Sequence, residues 1–260
     1  MLTINKMTEI PLLFKTICLN ILRATNFPAA RGRPRIIERE EILNEIWNIL
    51  RGGMQWRMLK PISCSWKTVF YYFTQWTKQN LFKNAYQHLL KIRQKTRRDA
   101  YHIIDSTYIK NVYGIDCIGR NPSDRGRNAT KMSALVNDEG IPISVVFVKG
   151  NKNDVITLQE TLDAVLVPKI KDKIPFMGDK GYPSKKNSQI VTNAGYLDRI
   201  SRRKHKVGRR QNKKRCTVEH TFSWIDKYRR LIMRFDKKIT AFEAFTFIAL
   251  SSILSQRILK

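Results

Sequence analysis

Apolar residues in the first third of the chain recur at intervals of three and four positions, the spacing of one helical face. This spacing predicts three short helices over Leu43–Leu50, Trp66–Trp76 and Leu81–Ile92. Gly52 follows the first helix as a stop signal, and Ser65 precedes the second as a cap. Three short helices with cationic edges fit a helix-turn-helix DNA-binding domain, and they equally fit any other small helical bundle.

Beyond residue 99 the pattern changes to short apolar runs, which are typical of strands. The predicted strands are Ala100–Ile104, Met132–Val136, Ile141–Val148, Ile174–Gly178 and Tyr196–Ile200, and the helices between them are Val155–Val167 and Ser184–Asn193. The order is three strands, helix, strand, helix, strand and further helices. We therefore predict a mixed α/β layer sandwich for this region.

A further amphipathic pattern surrounds Glu219. The apolar residues that share one arc of a helical wheel there are Val218, Phe222, Ile225, Ile232 and Phe235. They predict one core-facing helix, with Glu219 on the opposite arc among cations. An apolar helix from about Ala241 to Leu259 follows.

The chain is strongly basic, with 49 Lys and Arg against 21 Asp and Glu, a net charge of +28. A chain with this charge binds polyanions, of which nucleic acid is the commonest. The 4 cysteines are scattered, so we expect no disulfide framework and a reducing compartment. Apolar runs are interrupted before the roughly 18 residues that span a bilayer. We therefore expect a soluble, cytoplasmic protein with no membrane partner.

These patterns divide the chain into three parts. Residues 1–30 have no assigned role, although a short helix is possible near their middle. Residues 31–98 comprise a basic arm and the helical domain, and residues 99–260 comprise the α/β region. Arg33 and Arg35 of the arm could contact a phosphate backbone or a minor groove, or the arm could be a solvated linker.

Three acids occupy positions where metal chemistry can be built. Asp105 and Asp179 each follow a predicted strand, and residues at such strand ends gather at one edge of an α/β sheet. A packed helix can bring Glu219 over them. Three carboxylates suit a pair of Mg²⁺ or Mn²⁺ ions acting on a phosphodiester. Acids at strand ends also serve structural roles, and Glu219 could be a surface charge or an ion-pair partner.

Four motifs carry a resemblance to the DDE transposases of bacterial insertion sequences, in particular family five of these elements. They are Asp105–Thr107, Asp124–Arg127, Gly178–Tyr182 and Val218–Trp224. Segments 32–35, 53–57 and 65–69 resemble the N-terminal helical domain of that family. The resemblance implies an RNase H-like catalytic core preceded by a small helix-turn-helix-like domain. It also implies that Asp105, Asp179 and Glu219 are the catalytic, metal-binding triad.

The function implied by the resemblance is DNA transposition. The protein would bind the terminal inverted repeats of its element as double-stranded DNA, and a site with two Mg²⁺ or Mn²⁺ ions would hydrolyse a phosphodiester. The freed 3′-OH would then attack target DNA within a homodimeric synaptic complex, in the bacterial cytoplasm and nucleoid, with no small-molecule cofactor. The alternatives are an RNase H-like nuclease without strand transfer and an inactive DNA-binding remnant.

Several cations are expected to contact DNA if this resemblance holds. They are Arg33, Arg35, Lys67, Lys110, Arg125, Arg127, Lys131, Lys180, Arg215 and Arg230.

Other polar residues have simpler interpretations. Asp154 is expected to be the N-cap of a helix, with a supporting role near the site as the alternative. Asp226 is expected to pair with Arg230 one helical turn later, and Asp124 with a neighbouring arginine. Tyr182 could belong to the core or could stack on a DNA base.

Overall fold

The computed structural model describes residues 9–25, 37–170, 173–179, 181–201 and 209–259, with the backbone alone given for 209–215. The helices are α1 (Leu12–Ala24), α2 (Arg39–Gly52), α3 (Trp66–Lys78), α4 (Leu81–Thr96), α5 (Asp154–Asp163), α6 (Lys185–Asn193), α7 (Arg209–Ile225), α8 (Arg229–Ile232) and α9 (Ile239–Ile258). The strands are β1 (His102–Asn111), β2 (Gly119–Arg120), β3 (Asn128–Asn137), β4 (Pro142–Lys149), β5 (Ile174–Gly178), β6 (Tyr196–Asp198) and β7 (Met233–Arg234).

The chain forms two compact units. The first, which we call the head unit, comprises residues 1–89, 227–232 and 240–260. The second, which we call the sheet unit, comprises residues 90–226 and 233–239. The three predicted helices of the head are present as α2, α3 and α4, and α1 forms in the segment that had no assigned role.

Aromatic side chains build the core of the head unit. The ring of Phe73 stacks on that of Phe245, with 4.6 Å between the centroids, and Trp56 lies 5.1 Å from Phe73. Phe245 belongs to α9, the last helix of the chain. In the structure the C-terminal segment therefore groups with the head helices, whereas the predicted division placed it in residues 99–260. The physical reason is that α9 is apolar on every face and is enclosed by the helices it packs against.

The same helix corrects the expectation that apolar runs are too short to cross a membrane. Ile239–Ile258 passes a test of length and composition, with a mean hydropathy of 1.3 over its best window. In the protein, however, 67% of that window is buried. A buried apolar helix of this kind is typical of the core of a water-soluble unit.

A mixed sheet forms the centre of the sheet unit. β1 is antiparallel to β3 and parallel to β5, while β6 is parallel to β5. β4 and the short β2 are antiparallel to β3, and β7 pairs with the end of β1. This arrangement confirms the predicted mixed α/β class. Strand β1 is longer than expected because Thr107, Tyr108 and Ile109 extend the pairing with β3 beyond Asp105.

The helices α5 and α6 pack on one face of the sheet. The core there contains Ile104 of β1, Leu135 of β3, Leu158 of α5 and Phe176 of β5. Because side chains alternate along a strand, Ser106 shares this face with Ile104, whereas Asp105 points to the opposite face. Helix α7 packs against β1 and β3.

The predicted turn between β3 and β4 is present. Gly140 closes it with a φ of +76°, a conformation that glycine adopts without strain, and its N–H donates to the carbonyl of Asn137 at 2.9 Å. The side chain of Asn137 accepts hydrogen bonds from the backbone N–H groups of Glu139 and Ile141. Backbone and side-chain hydrogen bonds to Asn137 therefore stabilise the turn.

The predicted long helix around Glu219 is shorter than expected. It ends at Ile225, and the two apolar residues that would extend its stripe, Ile232 and Phe235, are 49% and 39% exposed. The chain instead leaves the helix so that Tyr228 becomes buried in the head unit, where its ring meets the edge of Trp47. The spacing of four residues between Asp226 and Arg230 therefore does not bring them onto one helical face.

Candidate active site

Asp105 lies on β1, and Asp179 directly follows β5, the parallel neighbour of β1. In the parallel ladder between β1 and β5, Ile104 is opposite Gly178. The next residues along the two strands are Asp105 and Asp179, and adjacent strands of a sheet stand about 4.8 Å apart. The structure thus brings these two predicted acids together, although Asp105 lies within β1 and not at its end.

Gly178 permits this close approach of β5 to β1. A β-carbon on Gly178 would lie 3.0 Å from Cγ2 of Ile104 and 3.5 Å from the ring of Tyr182. The first distance is shorter than ordinary van der Waals contact, so with a larger residue here the Ile104 side chain would have to shift. The glycine before Asp179 therefore fits the close packing beside Ile104.

The carboxylate of Asp105 is half-buried and is held by the backbone. Its Oδ1 accepts a hydrogen bond from the N–H of Ser106 at 2.8 Å. Asp179 is also half-buried, and its carbonyl accepts from the N–H of Tyr182 at 3.1 Å, which closes the turn after β5. Hydrogen bonds therefore fix the backbone at each of the two acids.

Glu219 lies on α7, which is anchored near this residue. The hydroxyl of Thr221 is buried and donates to the carbonyl of Gly140 at 2.8 Å. The ring of Trp224 lies against the same glycine, 3.0 Å from the place of a β-carbon. The side chain of Glu219 is exposed. Within the described ranges, it does not join Asp105 and Asp179 in a group of three side chains close enough to hold a metal ion.

Four of the cations predicted to contact DNA are exposed at the protein surface: Lys67, Lys110, Arg125 and Arg127. Arg127 pairs with Asp124 as expected, with 3.7 Å between Nη1 and Oδ1, and both side chains are about half exposed. Exposed pairs at this distance add little stability, so Arg127 can exchange its partner for a phosphate at low cost.

Arg33, Arg35 and Lys180 lie outside the described residues, as does the side chain of Arg215.

Lys131 is a correction to the predicted DNA contacts. Its side chain is only 3% exposed, and its ammonium group donates to Oδ1 of Asp154 at 3.1 Å and to the carbonyl of Lys152 at 2.7 Å. The ammonium also lies 5.0 Å from the centre of the Tyr108 ring. These partners satisfy the charge inside the protein, so Lys131 is a structural cation and not a surface one.

Arg230 is the second correction. It is 5% exposed, within the head unit, where its Nη1 donates to the carbonyl of Met54 at 3.2 Å. Its guanidinium group lies 5.5 Å from the centre of the Phe245 ring. A buried cation over an aromatic face is stabilised there and is not available to a phosphate.

The N-terminus of α5 lies beside β1 and also differs from the prediction. The N-cap is Asn153, whose side chain accepts from the N–H of Val155 at 2.9 Å. Asp154 is the first residue of the helix itself, and its Oδ1 accepts a hydrogen bond of 2.8 Å from the hydroxyl of Ser106. The alternative of a supporting role near the site fits this contact.

Tyr182 belongs to the core, which excludes the base-stacking interpretation. Its side chain is 1% exposed and packs in the cluster with Ile104. Burial raises the pKa of its hydroxyl well above the usual value, and the nearby carboxylates of Asp154 and Asp105 raise it further. The hydroxyl has no hydrogen-bond partner of normal geometry among the described residues, although the side chains of Ser106 and Ser133 are close.

A buried ionic network that sequence reasoning missed fixes the start of β1. His102 contacts Asp99 through Nε2 at 3.0 Å and the Tyr196 hydroxyl through Nδ1 at 3.1 Å. Arg93 donates to Asp99 at 2.6 Å and to Glu139 at 2.7 Å. Burial alone would raise the pKa of Asp99, but the hydrogen bond with His102 and the charge of Arg93 lower it to about 2. The sequence did contain a signal for the burial of Arg93, because this residue lies four residues after Leu89 on the apolar face of α4.

Comparisons with known proteins agree with the motifs. Residues 102–254 match the family described as "Transposase DDE domain", and residues 19–86 match "Putative transposase of IS4/5 family". A curated relative, the putative transposase for insertion sequence element IS402 of Burkholderia cepacia, is 28% identical over 134 residues. This alignment spans 49% of the chain and 63% of the relative, less than two thirds of its length.

A solved structure, "Mos1 transposase paired-end complex with left transposon end", aligns with 93% of the chain and 84% of its own. The identity is 10% and the TM-score 0.30, values too low to support an argument. The DDE-domain match covers more than half of the chain, including all three predicted acids. It shows, together with the mixed sheet, that the predicted α/β catalytic region is a DDE domain, and families of this kind generally use divalent metal ions. The chain belongs to the DDE-domain transposase family.

Proposed function

We propose that the protein is an insertion-sequence transposase that binds the terminal inverted repeats of its element, cleaves a phosphodiester there and joins the freed 3′-OH to target DNA. The observation that supports this most directly is the placement of Asp105 on β1 and of Asp179 directly after the parallel strand β5, within the DDE-domain match. The net charge of +28 supports a polyanionic substrate.

Asp105, Asp179 and Glu219 form the proposed metal-binding triad. Carboxylate oxygens are hard ligands, which suit Mg²⁺ or Mn²⁺, and the two aspartates start from adjacent strands. When bound, two such ions supply activation of the attacking oxygen and stabilisation of the leaving oxygen. Glu219 completes the triad when α7 or its own side chain moves as DNA and metal bind. Its exposure leaves the side chain free to reorient.

The exposed cations hold the DNA in this proposal. Lys110, Arg125 and Arg127 of the sheet unit contact backbone phosphates, while Lys67 contacts DNA from the head unit. Arg33, Arg35, Lys180 and Arg215 are proposed as further contacts. Two element ends must be held together for transposition, so we propose a homodimer that acts in the bacterial cytoplasm.

Asp105→Asn tests the proposed chemistry. Asparagine keeps the size of the side chain and the hydrogen bond from Ser106 but removes the charge that a divalent cation requires. Cleavage of a labelled element end in Mg²⁺ or Mn²⁺ should fall on the order of a thousandfold, equivalent to several kcal/mol of transition-state stabilisation. Binding of the same DNA, followed by fluorescence anisotropy, should stay close to wild type.

Asp163→Asn is the matched control, because Asp163 is exposed at the end of α5 and contacts only the neighbouring Gln159 in the described hydrogen bonds. It should cleave like wild type. Cleavage that survives Asp105→Asn would show that the triad assignment is wrong. A strand-transfer assay with pre-cleaved ends separates a transposase from a nuclease that cuts without joining.

A further inference from the structure

Ser106 connects Asp105 to the interior of the protein by two different hydrogen bonds. Its backbone N–H donates to Oδ1 of Asp105 at 2.8 Å. Its side chain points to the opposite face of β1, where the hydroxyl donates to Oδ1 of Asp154 at 2.8 Å. The orientation of the Ser106 peptide, which holds the Asp105 carboxylate, therefore depends on where the Ser106 hydroxyl is tied.

Asp154 is itself held in place by a buried charge. The ammonium group of Lys131 donates to the same oxygen at 3.1 Å, and the side chain of Lys131 is only 3% exposed. Lys131 is also tied to the carbonyl of Lys152, so β3 is joined to the loop that leads into α5. Asp154 is the first residue of α5, where the helix dipole favours a negative charge. The carboxylate is thus fixed in place.

The second carboxylate oxygen of Asp154, Oδ2, faces the loop that follows Asp179. A β-carbon placed on Gly181, two residues after Asp179, would be 3.8 Å from Oδ2 of Asp154. The carboxylates of Asp154 and Asp105 also both lie close enough to the Tyr182 hydroxyl to raise its pKa. Asp154 therefore lies between the neighbours of the two proposed metal ligands and is paired with Lys131.

We propose that Asp154, acting through Ser106, is a positioning residue that presents the Asp105 carboxylate to a divalent cation. This inference rests on the proposed function, because it assumes that Asp105 is a metal ligand. Residues that hydrogen-bond to the surroundings of a ligand fix its orientation, and their loss typically costs about 10-fold to 100-fold in metal affinity.

The test measures Mn²⁺ binding to the full chain directly, by the electron paramagnetic resonance signal of free Mn²⁺, alongside cleavage of an element end. Ser106→Ala should raise the dissociation constant for Mn²⁺ by about tenfold or more, and Asp154→Asn should have the same effect. Ser106→Thr keeps a hydroxyl and should restore affinity close to wild type. Excess Mn²⁺ should recover much of the cleavage lost in Ser106→Ala.

Ser144→Ala is the control for a purely structural loss. The Ser144 hydroxyl is fully buried, whereas Ser106 is half-buried, and it donates at 2.6 Å to the carbonyl of Thr161. Ser144→Ala should lower the melting temperature at least as much as Ser106→Ala, without changing Mn²⁺ affinity.

The outcomes separate the inference from the proposed function. Weakened Mn²⁺ binding in Ser106→Ala but not in Ser144→Ala supports the positioning role, even if wild type never cleaves DNA. A wild-type protein that cleaves, together with unchanged Mn²⁺ affinity in Ser106→Ala, overturns the inference and leaves the function intact. A wild-type protein that binds no Mn²⁺ overturns both.

Discussion

The network around Asp99 gives the stability of the sheet unit a defined dependence on pH. The pKa of Asp99 is about 2 in the folded protein, against a reference value of 3.8. The difference corresponds to roughly 2.4 kcal/mol, at about 1.36 kcal/mol per pH unit, and the side chain is well buried. Because the folded pKa is the lower one, this stability is present above about pH 4 and is lost as the pH falls towards 2. At pH 3 about half of it remains.

Asp99→Asn isolates this contribution. The substitution removes the charge beside His102 and Arg93 but keeps a side chain of similar size. Urea unfolding should show wild type to be more stable than the variant at pH 7, with the gap smaller by about 1 kcal/mol at pH 3. A further, pH-independent loss is expected because Arg93 is buried and keeps only Glu139 as an ionic partner among those described.

Asp124→Asn serves as the reference, because Asp124 is exposed and its pair with Arg127 is long. Its stability difference from wild type should stay near zero at both pH values. A gap between wild type and Asp99→Asn that is as large at pH 3 as at pH 7 would refute the reasoning, since it would mean that the ionisation of Asp99 contributes nothing.

The exposure of Lys110, the burial of Arg230 and the packing at Gly178 give two further predictions. Lys110→Met should weaken DNA binding and reduce the slope of log affinity against log salt by about 1, while Arg230→Met should lower the melting temperature and leave that slope unchanged. A reduced slope in Arg230→Met would place its guanidinium on DNA after all. Gly178→Ala should destabilise the protein by about 1–3 kcal/mol, because the added methyl group meets Ile104 at 3.0 Å. An unchanged melting temperature would show that the Ile104 side chain can shift without cost.

Periodicity predicted the elements of the sheet unit well, because each strand has an apolar face and a recognisable end. Asp179 could be placed from sequence because the apolar run of β5 stops directly before it. Asp105 was placed at a strand end, but alternation continues through Tyr108 and Ile109, and pairing with β3 extends the strand. The sequence of a strand does not specify which other strand it pairs with, or over what length.

Burial of charge was the main quantity that sequence could not supply. Lysine and arginine are usually found at the protein surface. The burial of Lys131 and Arg230 depends on acceptors that are distant in sequence, Asp154 and Met54. The packing of α9 with the head helices could not be predicted for a related reason. A helix that is apolar on every face has no stripe that points to one partner.

The hydrogen bond between the Thr221 hydroxyl and the Gly140 carbonyl fixes α7 at a point close to Glu219, and the helix can pivot about this point. Glu219 is two residues from Thr221, about 3 Å along the helix axis, whereas the first residue of α7 is about 18 Å away. A pivot of 20° about this point would displace the backbone of Glu219 by about 1 Å and the beginning of the helix by about 6 Å. A tilt of α7 therefore moves the backbone of its basic first turns by several times the distance that it moves Glu219. In the proposed triad, Glu219 would therefore reach a metal ion by rotation of its own side chain or by sliding of the whole helix.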